Sequence, residues 1–235
     1  MFPIGDDNSE VHITPYVNYV IIALNVLVFV LLQGLGGNEA FTYAFSLVPK
    51  EITTGTDLVG YQLITDGLGQ VGKIPQYATP LPVYFNFLSS MFMHGDIGHI
   101  LGNMLFLWIF GDNIENRIGH IRFAVFYLIC GLAAAFGQIL MDTGSVIPML
   151  GASGAISGVL GGYVLLFPTN RVRVIIVRFM VQTVPAWVAL GLWIGMQVVL
   201  GYLSSSGGGG VAYAAHIGGF VAGFALIKVF AIGKK

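Results

Sequence analysis

The sequence GASGAISGVLGG at residues 151–162 places five glycines and two serines directly before the apolar run YVLLF. Small residues at four-residue spacing, here Gly154, Gly158 and Gly162, are the ordinary means by which membrane helices pack closely. A serine at the head of such a helix also lies beside free backbone N–H groups and the positive end of the helix dipole. The segment therefore predicts a tightly packed membrane helix, with Ser153 at its start as a candidate functional group.

The composition indicates which solvent this chain folds in. Of its 235 residues, 56% are hydrophobic and 9% are charged, whereas ordinary globular domains have about 25% charged residues. A water-soluble domain of this size cannot bury so much apolar surface, so we predict an integral membrane protein. The net charge of −1 argues against nucleic acid as a partner. The single cysteine, Cys130, excludes an internal disulfide, and from the acidic N-terminus we expect no cleavable signal peptide.

Six segments approach the length of about 20 apolar residues that a helix needs to cross a membrane. We call them spans 1 to 6, at about residues 15–33, 96–115, 121–141, 150–167, 182–203 and 211–230. No domain boundary or internal repeat is visible, so we expect one all-α polytopic bundle over residues 1–235. A long outer loop joins spans 1 and 2 and includes the short apolar segment 82–94. Within this loop, four apolar residues recur at the spacing of a short interfacial helix: Phe41, Phe45, Val48 and Ile52.

The basic residues predict the orientation of the chain in the membrane. An even number of spans puts both termini on one side. Eight of the ten basic residues fall on that side, namely Arg117, Arg122, Arg171, Arg173, Arg178, Lys228, Lys234 and Lys235. Only Lys50 and Lys73 fall on the other side. We therefore expect cytoplasmic termini, an outer 34–95 loop, and a location in the plasma (inner) membrane.

Four polar side chains lie at one depth in the predicted bundle. His99 and Asn103 lie in the first two turns of span 2, and Ser153 lies in the first turn of span 4. His216 lies in the second turn of span 6. All three spans start from the outside, so at about 1.5 Å per residue these side chains lie in the outer third of the bilayer. Polar groups at that depth usually face the bundle interior or a water-filled cavity.

These residue types suit nucleophilic catalysis. A serine hydroxyl becomes a nucleophile when a base takes its proton, and the His216 imidazole can be that base. The oxyanion that forms next needs preorganised donors, and His99 and Asn103 project from one helix face at i, i+4 spacing. Gly151 and Gly154 flank the serine and allow another backbone to approach closely.

Three segments then resemble the rhomboid family of intramembrane serine proteases. The resemblance extends from span 2 to span 6. The segments are GASG at 151–154, AHIGGFVAG at 215–223 and HGDIGHILGN at 94–103. The family motifs GxSG, AHxxGxxxG and HxxxxHxxxN fall on Gly151, Ser153 and Gly154; on Ala215, His216, Gly219 and Gly223; and on His94, His99 and Asn103. Glu115 and Arg117 resemble the family's ExR.

The resemblance implies a reaction and a role for each group. Ser153 is expected to be the nucleophile and His216 the general base, in a dyad without an aspartate. His99, Asn103 and the Ser153 backbone N–H are expected to form the oxyanion hole. The expected reaction is cleavage of the transmembrane segment of a single-span membrane protein near its outer end. It takes place in the lipid bilayer, without a cofactor or a metal.

Other residues of these motifs suit structural roles. Gly154, Gly219 and Gly223 are expected to hold spans 4 and 6 close together. We expect His94 to form structural hydrogen bonds where the outer loop meets span 2, and Glu115 and Arg117 to form an interfacial ion pair.

The chain also departs from some rhomboids. Those relatives carry a tyrosine four residues after the nucleophile, stacked on the histidine, where this chain has Ser157. Ser157 or packing would then orient the base. Ser157 is also explained as a helix serine bonded to the backbone. The outer-loop Trp-Arg pair of some rhomboids is absent, since no arginine precedes Arg117.

Four other functions compete with a serine protease. A zinc protease would need HExxH, which the chain lacks. An aspartyl protease would need a second carboxylate opposite Asp112. A transporter or channel would use polar groups near the midplane, whereas these lie at one face. A proteolytically inactive relative is disfavoured because the serine, both histidines and the asparagine are all present.

The sequence also suggests a route of access for the substrate. Span 5 carries no candidate catalytic group, and the loop SSSGGGG at 204–210 has the composition of a flexible linker. We expect spans 2, 4 and 6 to be rigid and a lateral gate to lie between spans 2 and 5, as the rhomboid resemblance also suggests. The alternative is that SSSGGGG is only a slack connector.

Overall fold

The computed structural model describes residues 2–65, 69–176, 180–204 and 211–233, most of them helical. In chain order the helices are α1 (Tyr16–Leu27), α2 (Glu39–Ala44), α3 (Pro49–Thr54), α4 (Asn86–Ser89), α5 (Ile97–Ile118), α6 (His120–Met141), α7 (Ser153–Leu166), α8 (Ala186–Ser204) and α9 (Tyr213–Phe230). A π-helical turn at Val28–Leu32 extends α1. Helices α1 and α5 to α9 coincide with the six predicted spans to within about four residues.

Five strands show that the expectation of an all-α chain was wrong. Strands β1 (Phe2–Gly5), β4 (Arg171–Ile175) and β5 (Val181–Pro185) form an antiparallel sheet in the order β1-β4-β5. In β4, Val172 and Val174 are buried while the arginines beside them are exposed, which is the period of a half-buried strand. Strands β2 (Gly60–Thr65) and β3 (Val71–Gln76) form a separate hairpin. Span 5 was therefore predicted about four residues too early, because its first residues belong to β5.

Three helices are long and apolar enough to cross a membrane by length and composition: His120–Met141, Ala186–Leu203 and Tyr213–Phe230. Tyr16–Leu32 and Ser153–Leu166 are apolar but shorter. The 22-residue α5 carries Asp112, Glu115 and Arg117 in its second half. A multi-pass membrane protein follows from these helices, and the count of six spans stays a prediction.

Helix α7 lies at the centre of the bundle, against α5, α6, α8 and α9. All residues from Gly154 to Tyr163 are buried. A methyl group added to Gly219 of α9 would meet the backbone carbonyl of Gly154, and one added to Gly223 would meet that of Gly158. The glycines thus allow the α7 and α9 backbones to touch directly.

The segment between α1 and α5 packs near the N-terminal ends of α5 and α7. The predicted helix through residues 41–52 is in fact two helices, α2 and α3, which are separated where Leu47 pairs with Met149 in an isolated β-bridge. The segment 82–94 contains only short helical turns. The Asp96 carboxylate caps α5 by accepting a hydrogen bond from the His99 N–H at 2.8 Å.

The N-terminal segment forms hydrogen bonds with α5 and α7 near their C-terminal ends. The Asp6 carboxylate accepts hydrogen bonds from Asn113 at 2.8 Å and from the Tyr163 hydroxyl at 2.6 Å. Burial raises the pKa of Asp6 from 3.8 to about 7. The Tyr163 hydrogen bond opposes this rise, and the charges of Asp112 and Asp7 add to it. A carboxyl group that titrates near neutrality therefore lies at this end of the bundle.

Candidate active site

Ser153 and His216 meet at the N-terminal ends of α7 and α9. Ser153 is the first residue of α7, and its Oγ lies 2.8 Å from Nε2 of His216. Gly151, two residues earlier, has a φ of +133°, a conformation that side-chain-bearing residues rarely adopt. The hydrogen bond expected between a nucleophile and its general base is therefore present.

Gln197 of α8 holds the other side of the His216 ring. Its Oε1 lies 2.7 Å from Nδ1 of His216, and the Trp193 ring lies 5.9 Å from the imidazole, centroid to centroid. This contact was not predicted from the sequence, in which span 5 carries no candidate catalytic group. The available signal was one glutamine in the outer half of an apolar membrane helix, a position where polar side chains are costly without partners.

His99 lies beside the serine, against Gly151. A methyl group placed on Gly151 would lie 2.9 Å from His99 Nε2 and 3.5 Å from Ser153 Oγ, so only glycine leaves room for the imidazole there. Nδ1 of His99 accepts a hydrogen bond from the Gly95 N–H at 3.3 Å. A neutral imidazole that accepts at Nδ1 carries its proton on Nε2. His99 therefore presents a donor next to the Ser153 hydroxyl.

Asn103 lies one turn below His99 on α5 and lines the same cavity. Its Nδ2 donates a hydrogen bond to the His99 backbone carbonyl at 3.1 Å. An amide nitrogen has two hydrogens, so one remains for a further acceptor. The first backbone N–H groups of α7 have no acceptor within the helix, which is general for helix N-termini.

The glycines around the pair set its spacing. Gly154 packs on Ala134 of α6, where an added methyl group would lie 2.6 Å from the Ala134 Cβ. Gly219, one turn after His216, packs on the backbone of Gly154, directly after Ser153. A direct contact between the α7 and α9 backbones therefore lies beside the hydrogen-bonded pair.

Two further motif residues are now placed. The Ser157 hydroxyl donates to the Ser153 carbonyl at 2.6 Å, which agrees with its interpretation as a backbone-bonded helix serine. His94 is fully buried, and within the described chain neither ring nitrogen has a hydrogen-bond partner. Its backbone N–H and carbonyl instead pair with the Gln33 side chain at 2.9 and 2.8 Å. Burial lowers the pKa of His94 to about 3.

Glu115 has a structural role that differs from a simple surface ion pair. Its carboxylate accepts hydrogen bonds from the backbone N–H groups of Val17 and Asn18, at 2.9 and 2.7 Å, in the first turn of α1. It also contacts the ring of His120. The glutamate therefore caps one membrane helix from another. The predicted pairing with Arg117 stays a prediction.

A cavity of about 1000 Å³ lies against the site. Its inner wall includes Ser153, His216, His99 and Asn103, and its outer wall comes from α2 and the segment 145–150. The loop SSSGGGG lies outside the described residues except for Ser204. Within the described ranges, no group of three or more His, Cys, Asp or Glu side chains is placed to hold a metal ion.

Comparison with known proteins identifies related chains. Residues 82–232 match the Rhomboid domain family. The chain is 29% identical over 195 residues to Rhomboid protein 1, mitochondrial, of Saccharomyces cerevisiae, covering 78% of this chain and 54% of that one. It is 28% identical over 227 residues to Rhomboid protease GluP of Bacillus subtilis, covering 94% and 37%. It is 34% identical over 141 residues to the mouse Presenilin-associated rhomboid-like protein, mitochondrial, covering 58% and 35%. The chain thus spans about a third to a half of these relatives.

Proposed function

The chain belongs to the rhomboid family, and we propose that it is an intramembrane serine endopeptidase that acts through a Ser153–His216 dyad. The observation that carries this proposal is the 2.8 Å contact between Ser153 Oγ and His216 Nε2 beside a cavity of about 1000 Å³. The relative named as a protease, GluP, is similar over 94% of this chain. These two facts support hydrolysis of a peptide bond.

The proposed reaction begins with transfer of the Ser153 proton to His216 Nε2 as Oγ attacks the scissile carbonyl. The carbonyl oxygen gains a negative charge beside the backbone N–H groups of α7, the His99 Nε2–H and the free N–H of Asn103. His216 then returns the proton to the leaving amine, which releases one product and leaves an acyl group on Ser153. Water, activated by the same imidazole, hydrolyses this ester.

The proposed substrate is the transmembrane segment of a single-span membrane protein. Helix α7 has 14 residues and is about 21 Å long, shorter than the hydrocarbon core of about 30 Å. If its inner end reaches the membrane surface, Ser153 lies about 10 Å below the outer boundary of the hydrocarbon. This depth favours cleavage near the outer end of a substrate helix.

The proposed topology has both termini in the cytoplasm, as the distribution of basic residues predicts. A protease-sensitive tag on either terminus should stay protected in intact cells, and digestion from outside would contradict this topology. The names of the yeast and mouse relatives refer to mitochondria. They give no support to the plasma-membrane expectation, which stays a prediction.

The proposed activity is tested with purified protein in liposomes and a generic type I transmembrane substrate. Ser153→Ala and His216→Ala should each abolish cleavage. Ser145→Ala is the matched control, because Ser145 lines the same cavity and its hydroxyl accepts a hydrogen bond from the Ile147 N–H, and it should cleave normally. Cleavage by the Ser153 variant would end the serine-protease proposal, and loss of wild-type activity with a metal chelator would favour a metalloprotease.

A further inference from the structure

We propose that Gln197 of α8 is a positioning residue for the dyad, whose amide oxygen fixes the His216 tautomer that can accept a proton from Ser153. This inference rests on the proposed function. It goes beyond it because it makes α8 part of the catalytic geometry, although α8 contributes no reacting group.

The contacts on the two sides of the His216 ring support this role. Nδ1 faces Gln197 Oε1 at 2.7 Å, and Nε2 faces Ser153 Oγ at 2.8 Å. An amide oxygen can only accept a hydrogen bond, so Nδ1 must be the donor. A neutral imidazole has one N–H, and Nε2 is therefore left with a lone pair towards the serine hydroxyl. The alternative tautomer would place a proton where the base must be free.

The burial pattern of α8 supports this role. Gln197 is 8% exposed, whereas every other residue from Gly195 to Leu200 is exposed. This part of the helix thus contacts the bundle through one polar side chain. A glutamine in a membrane helix is costly unless it is paired or faces a polar cavity, and here its acceptor is directed at the imidazole of the proposed base.

The arrangement also links substrate access to chemistry. Ser153 and His216 lie on α7 and α9, whose backbones touch at Gly154 and Gly219, whereas Gln197 lies on a third helix. A movement of α8 away from α9 would remove the acceptor from Nδ1 while leaving the Ser153–His216 contact in place. A transmembrane substrate that enters between α8 and α5 must therefore leave Gln197 in contact with His216. Otherwise the reaction cannot proceed until α8 has returned to this position.

Two substitutions with side chains of similar length distinguish the effect of the hydrogen-bond acceptor from the effect of packing. Gln197→Met keeps the length of the side chain and removes the acceptor, and Gln197→Glu keeps both. Val198→Met is the control, since Val198 is the next residue on α8 and is exposed. We expect Gln197→Met to slow both reactions described below by about tenfold or more, because one lost hydrogen bond of about 1.4 kcal/mol in the transition state corresponds to a factor of ten. Gln197→Glu should stay within about threefold of wild type, and Val198→Met should be unchanged.

The rates to compare are cleavage of the transmembrane substrate and inactivation by a small fluorophosphonate. In the second reaction Ser153 Oγ bonds to phosphorus, fluoride leaves, and His216 takes the proton, so no helix has to move apart to admit the reagent. If Gln197→Met reacts with the phosphonate at the wild-type rate, Gln197 acts only on access or packing and the proposal is overturned. It is also overturned if Gln197→Glu is as slow as Gln197→Met.

A measurement on the wild-type protein tests the tautomer without any variant. The ¹⁵N NMR spectrum of histidine-labelled protein in liposomes should show His216 with a protonated Nδ1 and an unprotonated Nε2. A protonated Nε2 in the neutral ring would overturn the proposal. If wild type neither cleaves nor reacts with the phosphonate, the proposed function fails, whereas the NMR result still decides the role of Gln197.

Discussion

Gly219→Ala is the substitution whose effect on the dyad follows most directly from the structure. The new methyl group would lie 2.0 Å from the backbone carbonyl oxygen of Gly154. A backbone carbonyl within a helix cannot rotate away as a side chain can. The two helices α7 and α9 must therefore separate at this point.

The size of the separation can be estimated from the contact distance. Ordinary contacts of a Cβ begin at 3.4 Å, so the helices must part by up to 1.4 Å. Gly219 is one turn from His216, and Gly154 follows Ser153, so this shift acts on a contact of 2.8 Å. The contact lengthens to about 4 Å at most, which is beyond hydrogen-bonding distance. A misplacement of about 1 Å can cost about 10²-fold in rate.

The stability cost of Gly219→Ala should be modest in comparison. Overpacking typically costs about 1–3 kcal/mol, and alanine returns up to about 1 kcal/mol through its higher helix propensity. We therefore expect a folded protein whose transmembrane-substrate cleavage and phosphonate reaction are both slower by about 10²-fold. Thermal unfolding in detergent would show that the fold is retained.

Gly218→Ala is the matched control for this experiment, because it lies on the same helix, one residue away. A methyl group there would meet its nearest atom, the Ala133 carbonyl oxygen, at an ordinary 3.4 Å. Its activity should be close to that of wild type. Equal activity of the Gly219 and Gly218 variants would refute the reasoning that the α7–α9 backbone contact sets the dyad distance.

Three further predictions concern other parts of the molecule. Asn103→Ala should slow cleavage, by less than the 10²–10³-fold typical of a lost oxyanion donor if His99 compensates, and a double variant of these two residues with wild-type turnover would remove both from the mechanism. A disulfide engineered between α5 and α8 should block cleavage of a transmembrane substrate but not the phosphonate reaction, and unchanged cleavage would exclude access between these helices. Because burial raises the pKa of Asp6 to about 7, the folded protein keeps a proton that the unfolded chain releases above about pH 4. Stability should therefore fall by up to about 4 kcal/mol as pH rises from about 4 to about 7, and change little above that. Asp6→Asn should flatten this dependence in unfolding measurements between about pH 4 and 8, and parallel curves for the two proteins would contradict it.

The sequence by itself determined the helices and the identity of the candidate site residues. Long apolar runs define helix positions because a chain in lipid must satisfy its own backbone, and the Asp96 cap and the i, i+4 spacing of His99 and Asn103 are properties of a single helix. The glycine spacing in GASGAISGVLGG likewise predicts close packing wherever the partner helix lies. Each of these signals is contained within about 20 consecutive residues.

Tertiary structure alone decided which groups meet. Strand β1 pairs with β4, about 170 residues later in the chain, and no local pattern indicates that partner. Gln197 reaches His216 only because α8 is rotated so that this one side chain faces α9, and rotation depends on packing with neighbouring helices. The His94 ring is buried without a hydrogen-bond partner in the described structure, and the Gln33 side chain, 61 residues earlier, pairs with the backbone of that residue. Local periodicity can assign a residue to a helix face, but the partner of that face is set by contacts between segments distant in the chain.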